Sequence, residues 1–356
     1  MSSTVKGVAK RANVSAATVS LVLNGKSGIS EETRAKVLQA ASELNYAKRP
    51  GKSAQADRSG TLRFLKIAKH GHTVNRDHNI FISDYIDGMS GEANLLGYKL
   101  EIVSFEGEAI EKVVASIAGA AIDGAIVLGT ELTEADIQLF QAAATPLVII
   151  DTFCDFSECN FVNMNNKDAV YKIVSHFVEN GFKNIGFIGS NVQTINFHLR
   201  KAAFLETMKK FGLSFNAKDI VTVDSTYDGA YEDMRAKLNA GLIIPDCYFC
   251  TNDIITYGCI KAFREFNVRI PQDLSIVGFD NLPMSATMDP PLTTIDVSKQ
   301  KIGCLAVRNL DELIKSKKKQ PSVKILVGAE LVVRKSVMRK APAAGSAGKR
   351  LKAAVE

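Results

Sequence analysis

TVKGVAKRANVSAATVSLVLN, residues 4–24, reads as two short helices joined by a tight turn. Thr4 can cap a first helix running from Val5 to about Arg11. Val8, Ala9 and Ala12 give that helix an apolar face. Asn13 sits where the chain must turn, and asparagine tolerates the left-handed conformation better than most residues. Val14 packs inward. Ser15 then caps a second helix, Ala16 to about Leu23, with Val19 and Val22 or Leu23 at helical spacing. Asn24-Gly25 ends it. A third helix follows Ser30, with Thr33 in place of the acidic residue of a capping box. Its buried face is read as Val37, Leu38, Ala41 and Leu44. Three helices of this size bury one small shared core.

A unit of this kind lays its second helix in the DNA major groove. Ala16 and Ala17 are small enough for close approach and for contact with a thymine methyl. Thr18 and Ser20 carry hydroxyls that can bond a base edge or a phosphate. Lys6, Lys10, Arg11, Lys26 and Arg34 are candidates for the DNA backbone, where contacts position without reading sequence. Thr4 and Asn24, at the helix ends, join that set. The alternative is a three-helix module that packs against protein.

The whole chain has 356 residues, enough for two or three compact units. It is 46% hydrophobic and 23% charged, a composition that fits folded cores and not a disordered chain. Net charge is +6, and the excess of Lys and Arg is concentrated in residues 1–60 and the last twenty or so. That asymmetry places a nucleic-acid contact at the N-terminal end. Lys6, Lys10 and Arg11 interrupt any early apolar run, and no stretch approaches 18 uncharged apolar residues. The expectation is a cytoplasmic protein with no membrane partner. Cys247 and Cys250 form a CxxC inside an apolar run without a second pair or a nearby histidine, so buried reduced thiols are expected there. His70 and His72 read as exposed loop residues. No metal or cofactor is expected.

Residues 47–61 form a basic linker punctuated by Pro50, Gly51 and Gly60. Lys48, Arg49, Lys52 and Arg58 are expected to meet phosphates. From Leu62 onward, strand and helix alternate: strands at Leu62–Ala68, Tyr98–Phe105, Gly124–Leu128 and Leu147–Ile150, then at Ile185–Ile188, near Ile220–Val223, at Cys247–Cys250 and at Ser275–Phe279. Parallel strands need crossover helices, so two successive sets of this size imply two lobes, each with a parallel sheet between helix layers. Ligands of such sheets sit beyond the carboxyl ends of the strands. Polar residues gather there: Asp151 after LVII, Asn252 and Asp253 after YFCT, Asp280 and Asn281 after SIVGF. Arg200 is read as opening a helix at Leu199. Such groups suit the hydroxyls of a sugar, and Phe81 or Phe197 could stack on its apolar face. Each also has a local alternative: Asp151 capping a turn, Asn252 capping a helix, Asp280 starting a loop.

VAKRANVSAATVSLVLNGKSGISEETRAKVLQAASELNY closely resembles the DNA-binding headpiece of the LacI/GalR family of bacterial transcriptional regulators. YFCTNDIITYGCIKAFREFNVRIPQDLSIVGFDNLPMSATMDPPLTTIDV, HFVENGFKNIGFIG and ELVVRKS resemble the family's periplasmic-binding-protein-like core. The resemblance implies an all-α helix-turn-helix headpiece, residues 1–46, and a two-lobed α/β effector-binding and dimerisation domain, residues 62–338. The first lobe is placed at about 62–162 and 295–325, the second at about 163–294 and 326–338, with a basic tail at 339–356. It implies base reading by Ser15 to Leu21 and effector contacts from Arg200, Asn252 and Asp280. It also implies a homodimer on operator DNA, a small effector such as a sugar, and in some relatives a protein corepressor. The chain departs from the family at Leu21, where many members carry a base-contacting arginine. It departs again in the linker, which holds no leucine between Leu44 and Leu62. The rival readings are an orphan regulator without a small effector, a sugar carrier, and a sugar-modifying enzyme fused to a DNA module. No GxGxxG after the first strand, Walker loop or GxSxG is present to support catalysis.

Overall fold

The computed structural model describes residues 5–23, 29–44, 60–70, 79–316 and 318–340. The chain divides into two compact units, with the division between Arg58 and Ser59.

The first unit holds three helices: α1 (Val5–Ala12), α2 (Ala16–Leu23) and α3 (Glu31–Glu43). Asn13 makes the turn between α1 and α2 with φ 52°, the left-handed conformation its side chain tolerates. Val8, Ala9, Val19, Val22, Val37, Ala40 and Ala41 form the shared core, with Ala12, Val14, Ile29 and Leu44 packed on its rim. Leu38 does not belong to that face; it is half exposed. Val37, Ala40, Ala41 and Leu44 fit the 3.6-residue period, and Leu38 lies about 100° round the helix from Val37. Ser30 caps α3, accepting from Thr33 N at 3.3 Å and donating to Thr33 Oγ1 at 2.9 Å.

The second unit is an α/β core built on two parallel sheets. Strands β1 (Gly60–Ala68), β2 (Tyr98–Glu106), β3 (Gly124–Leu128), β4 (Leu147–Ile150), β5 (Asn160–Met164) and β11 (Lys324–Val327) make a six-stranded sheet in the order β11-β5-β4-β3-β1-β2. All its pairings are parallel. Strands β6 (Ile185–Ser190), β7 (Ile220–Val223), β8 (Cys247–Cys250) and β9 (Ser275–Val277) make a second parallel sheet, in the order β7-β6-β8-β9. The central strands β3, β4 and β8 are buried throughout, as strands covered on both faces must be. Cys247 and Cys250 lie in β8, buried and unpaired with each other.

Helices α4 (Asn79–Leu96), α5 (Ile110–Ala115), α6 (Glu134–Gln141) and α12 (Lys299–Lys315) belong to the first lobe. Helices α7 (Asn166–Glu179), α8 (Ile195–Lys210), α9 (Tyr227–Asn239), α10 (Asp253–Glu265) and α11 (Pro283–Thr287) belong to the second. A short antiparallel pair, β10 (Thr294–Val297) with β12 (Ala329–Val332), lies where the chain passes between lobes. The chain crosses three times: after β5, after β10 and after β11. Helices α4 and α12 cross at two glycines. A Cβ on Gly88 would lie 2.1 Å from the Gln300 carbonyl oxygen, and one on Gly303 would lie 2.3 Å from that of Tyr85. Only glycine lets these two backbones approach so closely.

Candidate functional site

Two places in the molecule gather the residues singled out from the sequence. The first is the outer face of α2. Ser15 Oγ accepts from Thr18 N at 3.0 Å and lies 2.9 Å from Thr18 Oγ1, an N-cap that satisfies one of the helix's free amides. Val19 and Val22 point into the core, which turns Ala16, Ala17, Ser20 and Leu21 outward; all four are exposed. Leu21 is 41% exposed, so that face carries a large aliphatic side chain. Thr18 is half-buried, its hydroxyl shared with the cap. Arg11 forms an ion pair with Glu43 of α3 at 2.6 Å, and Lys10 is exposed beside it. Arg34 is half-buried on α3. Lys6 lies in α1, but its side chain is outside the described residues, as are Thr4, Asn24, Lys26, Lys48, Arg49, Lys52 and Arg58.

The second place is the seam between the lobes of the core. Asp151 leaves β4 and Asp280 follows β9, each at a strand's carboxyl end. Both are held at positive φ, 60° for Asp151 and 114° for Asp280. A non-glycine residue in that region carries strain that the surrounding structure must support, and such strain gathers at functional sites. Arg200 feels the charge of both. Its Nη2 is 3.6 Å from Asp280 Oδ1, and its guanidinium carbon lies 3.6 Å from the centroid of the Phe279 ring. Its Nε donates to Asn166 Oδ1 at 2.9 Å and its Nη1 to the Thr251 carbonyl at 2.6 Å. Phe197 lies along the same helix, with its ring centroid 5.8 Å from the guanidinium.

Arg200 does not open its helix. Thr194 caps α8 by accepting from Phe197 N at 3.2 Å, so the helix begins at Ile195 and Arg200 sits in its second turn. That start puts Asn196 and Arg200 four residues apart on one face. Asn196 was not legible as a site residue, and it is the hub of the seam. Its Nδ2 donates to the Asp151 carbonyl at 2.9 Å and to Asp151 Oδ1 at 3.2 Å. Its Oδ1 accepts from Asn163 at 2.8 Å and from Asn166 at 2.9 Å. The first-lobe carboxylate is thereby joined to the second-lobe helix that carries the arginine.

Further partners also come from sequence-distant elements. Tyr85 of α4 donates to Asp151 Oδ1 at 2.9 Å, and Thr130 donates to Oδ2. Phe81, one turn earlier, is buried edge-on against Tyr85 at 5.1 Å between ring centroids. Lys299, the first residue of α12, donates to the Asp280 carbonyl at 3.0 Å, with Asp84 Oδ2 3.6 Å away. Asn252 is fully buried and caps α10, its Oδ1 accepting from Ile255 N at 2.9 Å. Its helix-capping alternative therefore describes its side chain. Asp253 beside it accepts from Leu282 N at 2.9 Å, Ser285 Oγ at 2.7 Å and Thr294 Oγ1 at 2.6 Å.

Burial dominates the electrostatics. It pushes the Asp151 carboxyl above its ordinary range, against hydrogen bonds from Thr130 and Tyr85. It pushes Asp253 up to about 7, with the Asp280 charge adding to the effect. It lowers the Arg200 guanidinium, which Asp280 and Asp151 partly restore. Carboxylates, amides, a guanidinium and aromatic rings at one seam make a set that can bind and orient a polar ring. Among the described residues no cluster fit to hold a metal occurs, and no helix is long and apolar enough to cross a membrane.

Comparison with known proteins agrees over most of the chain. The family model "Bacterial regulatory proteins, lacI family" matches residues 4–48, and "Periplasmic binding protein-like domain" matches residues 174–337. The HTH-type transcriptional repressor PurR of Pasteurella multocida is 31% identical over 337 residues, covering 94% of this chain and 98% of the relative. That of Photobacterium profundum is 30% identical over the same shares. Among solved structures, a complex of the transcriptional regulator CelR with cellobiose superposes with a TM-score of 0.70 at 22% identity, covering 94% of this chain and 99% of that one. The lac repressor dimer bound to operator and the anti-inducer ONPF gives 0.69 at 24%, covering 93% and 98%. These two carry the fold alone. The sequence relatives carry more: the chain belongs to the LacI family of bacterial helix-turn-helix transcriptional regulators, and is a DNA-binding regulator of transcription.

Proposed function

We propose that this regulator is a homodimeric repressor whose operator affinity is set by a sugar bound at the seam of the core. The observation that carries the reading is the meeting of Asp151, Asp280 and Arg200. Of two strand-end carboxylates at positive φ, one from each lobe, Asp280 faces the buried Arg200 guanidinium at 3.6 Å and Asp151 acts on it by its charge. A ligand that engages both lobes there changes their relation, and so couples to the DNA-binding unit through the linker. Hydroxyl-rich ligands suit the donors and acceptors present, and Phe81 and Phe197 supply apolar faces. One solved neighbour is a cellobiose complex, which supports a saccharide. Ser15, Ala16, Ala17, Thr18, Ser20 and Leu21 read bases in this account. Lys6, Lys10, Arg11, Lys26, Arg34, Lys48, Arg49, Lys52 and Arg58, with Thr4 and Asn24, hold the backbone. A two-fold operator requires a two-fold protein.

One observation favours a second reading. Asp151, Asn163, Asn166, Asn196 and Arg200 of the seam already hydrogen-bond one another. A core closed on itself in this way would answer to a protein corepressor and to no small molecule. A thermal-shift screen across mono- and disaccharides separates the two, because a ligand of the native state must raise its melting temperature. At least one sugar is expected to stabilise the protein, and stabilisation by none would leave the corepressor reading.

A further inference from the structure

The six strands of the first lobe run parallel, so all their amino ends lie along one edge of the sheet. The linker enters the core at that edge, because Gly60 is the first residue of β1. Helix α12 begins at the crossing between lobes, where Lys299 meets Asp280, and runs 17 residues away from it. At 1.5 Å per residue that is about 26 Å. The helix ends at Lys315, and the chain then turns into the amino end of β11. The turn before β11 therefore lies on the same edge as the linker entry. Four strand spacings separate β11 from β1 in the sheet order. At about 4.8 Å each, the offset is roughly 19 Å.

That turn is basic. Lys318 and Lys319 are both exposed. Ser316 fixes it: its Oγ donates to the Lys318 carbonyl at 2.7 Å and accepts from Gln320 Nε2 at 2.8 Å. Lys315 is committed to Asp311 of the same helix at 2.7 Å. Among the described residues Lys319 pairs with Glu158 at 3.6 Å, and the two side chains are 91% and 72% exposed. A pair so exposed is screened by salt and worth little, so a phosphate competes for it readily. The 15 residues between Leu44 and Gly60 span at most about 54 Å even if fully extended. DNA held by the helix-turn-helix unit is thus tethered to the edge that carries the lysines.

We propose that the Lys318–Lys319 turn is a second DNA contact, made by the core with phosphates that flank the operator. It is independent of sequence. It rests on the operator-binding reading above and extends the footprint beyond the headpiece. The turn's role is to add affinity and steepen the salt dependence on long DNA.

The test compares the full-length protein with the Lys318→Ala/Lys319→Ala variant on two duplexes, the bare operator and the operator with about ten random base pairs added at each end. Affinity is measured across a KCl series. Each phosphate contact adds about 0.9 to the slope of log affinity against log salt. The wild type is expected to show a slope on the flanked duplex steeper by about 1.8 for each turn engaged. The variant is expected to show equal slopes on both duplexes, with wild-type affinity for the bare operator and an unchanged melting temperature. Equal wild-type slopes on the two duplexes would overturn the proposal, as would a variant that keeps the difference; the turn would then serve an acidic protein partner or solvent. A failure of operator reading itself looks different: binding to the bare operator would be no tighter than to random duplex.

Discussion

Asp280 is the residue on which the effector reading turns. Its φ of 114° is tolerated because its neighbours hold it: its own amide bonds the Ile295 carbonyl at 2.9 Å, and Lys299 bonds its carbonyl. The carboxylate is left facing Arg200. Asp280→Ala is therefore expected to abolish the effector response while leaving operator affinity within about twofold, checked by anisotropy on labelled operator. A retained response would move the effector site elsewhere. On the headpiece, Ser15→Ala removes the acceptor that caps α2. The three-helix unit should lose roughly 1 kcal/mol in a denaturant titration. Thr18→Ala/Ser20→Ala, by contrast, should weaken operator binding without changing dimer mass. Unchanged affinity would remove α2 from the groove.

At the scale of elements, the crossing of α4 and α12 gives a sharper test than any apolar contact. Alanine is worth up to about 1 kcal/mol over glycine inside a helix. Gly91, also in α4, has open space where a Cβ would go, so Gly91→Ala should stabilise the core by about 0.5–1 kcal/mol. Gly303→Ala meets the Tyr85 carbonyl at 2.3 Å and should destabilise by about 1–3 kcal/mol despite the same propensity gain. Equal effects at both positions would contradict the close crossing. Asp253 adds a pH dependence. Its carboxyl rises from an ordinary value of 3.8 to about 7 in the folded core. The folded state then holds a proton that the unfolded chain releases, so stability falls as pH rises from about 4 to about 7. Asp253→Asn should flatten the melting temperature over that window, and an unchanged pH profile would argue against the buried proton.

The elements themselves were largely legible from the sequence. Gly124–Leu128, Leu147–Ile150 and Cys247–Cys250 are continuous apolar runs bounded by polar, glycine or proline residues, and they appear as strands with those limits. Strand β5 was not legible, because Asn160 and Asn163 break its apolar pattern. The seam was legible only by halves. Asp151, Asp280 and Arg200 follow from strand ends and family pattern. Their partners do not, because Tyr85 lies 66 residues and Asn196 45 residues from Asp151. Local spacing carries no information about such pairs. The start of α8 hid Asn196 further: Thr194 caps the helix without an acidic residue in its first turn to announce it.

At the scale of the molecule, a three-helix unit with an exposed probing face is joined by a basic linker to an α/β core whose two lobes meet over a buried charged network. In the proposed function the core is a switch for the reader, with the ligand acting through the lobes' relation. The proposed coupling between effector and DNA passes through the Asp151–Arg200–Asp280 seam. The most direct measurement is the operator dissociation constant of the wild type and of Asp280→Ala across a panel of sugars at fixed salt. At least one sugar should shift the wild-type constant by about 5- to 150-fold, the range of ordinary allosteric coupling, and should leave the variant's constant unmoved. A wild type indifferent to every sugar, or a variant that responds as the wild type does, would contradict the account.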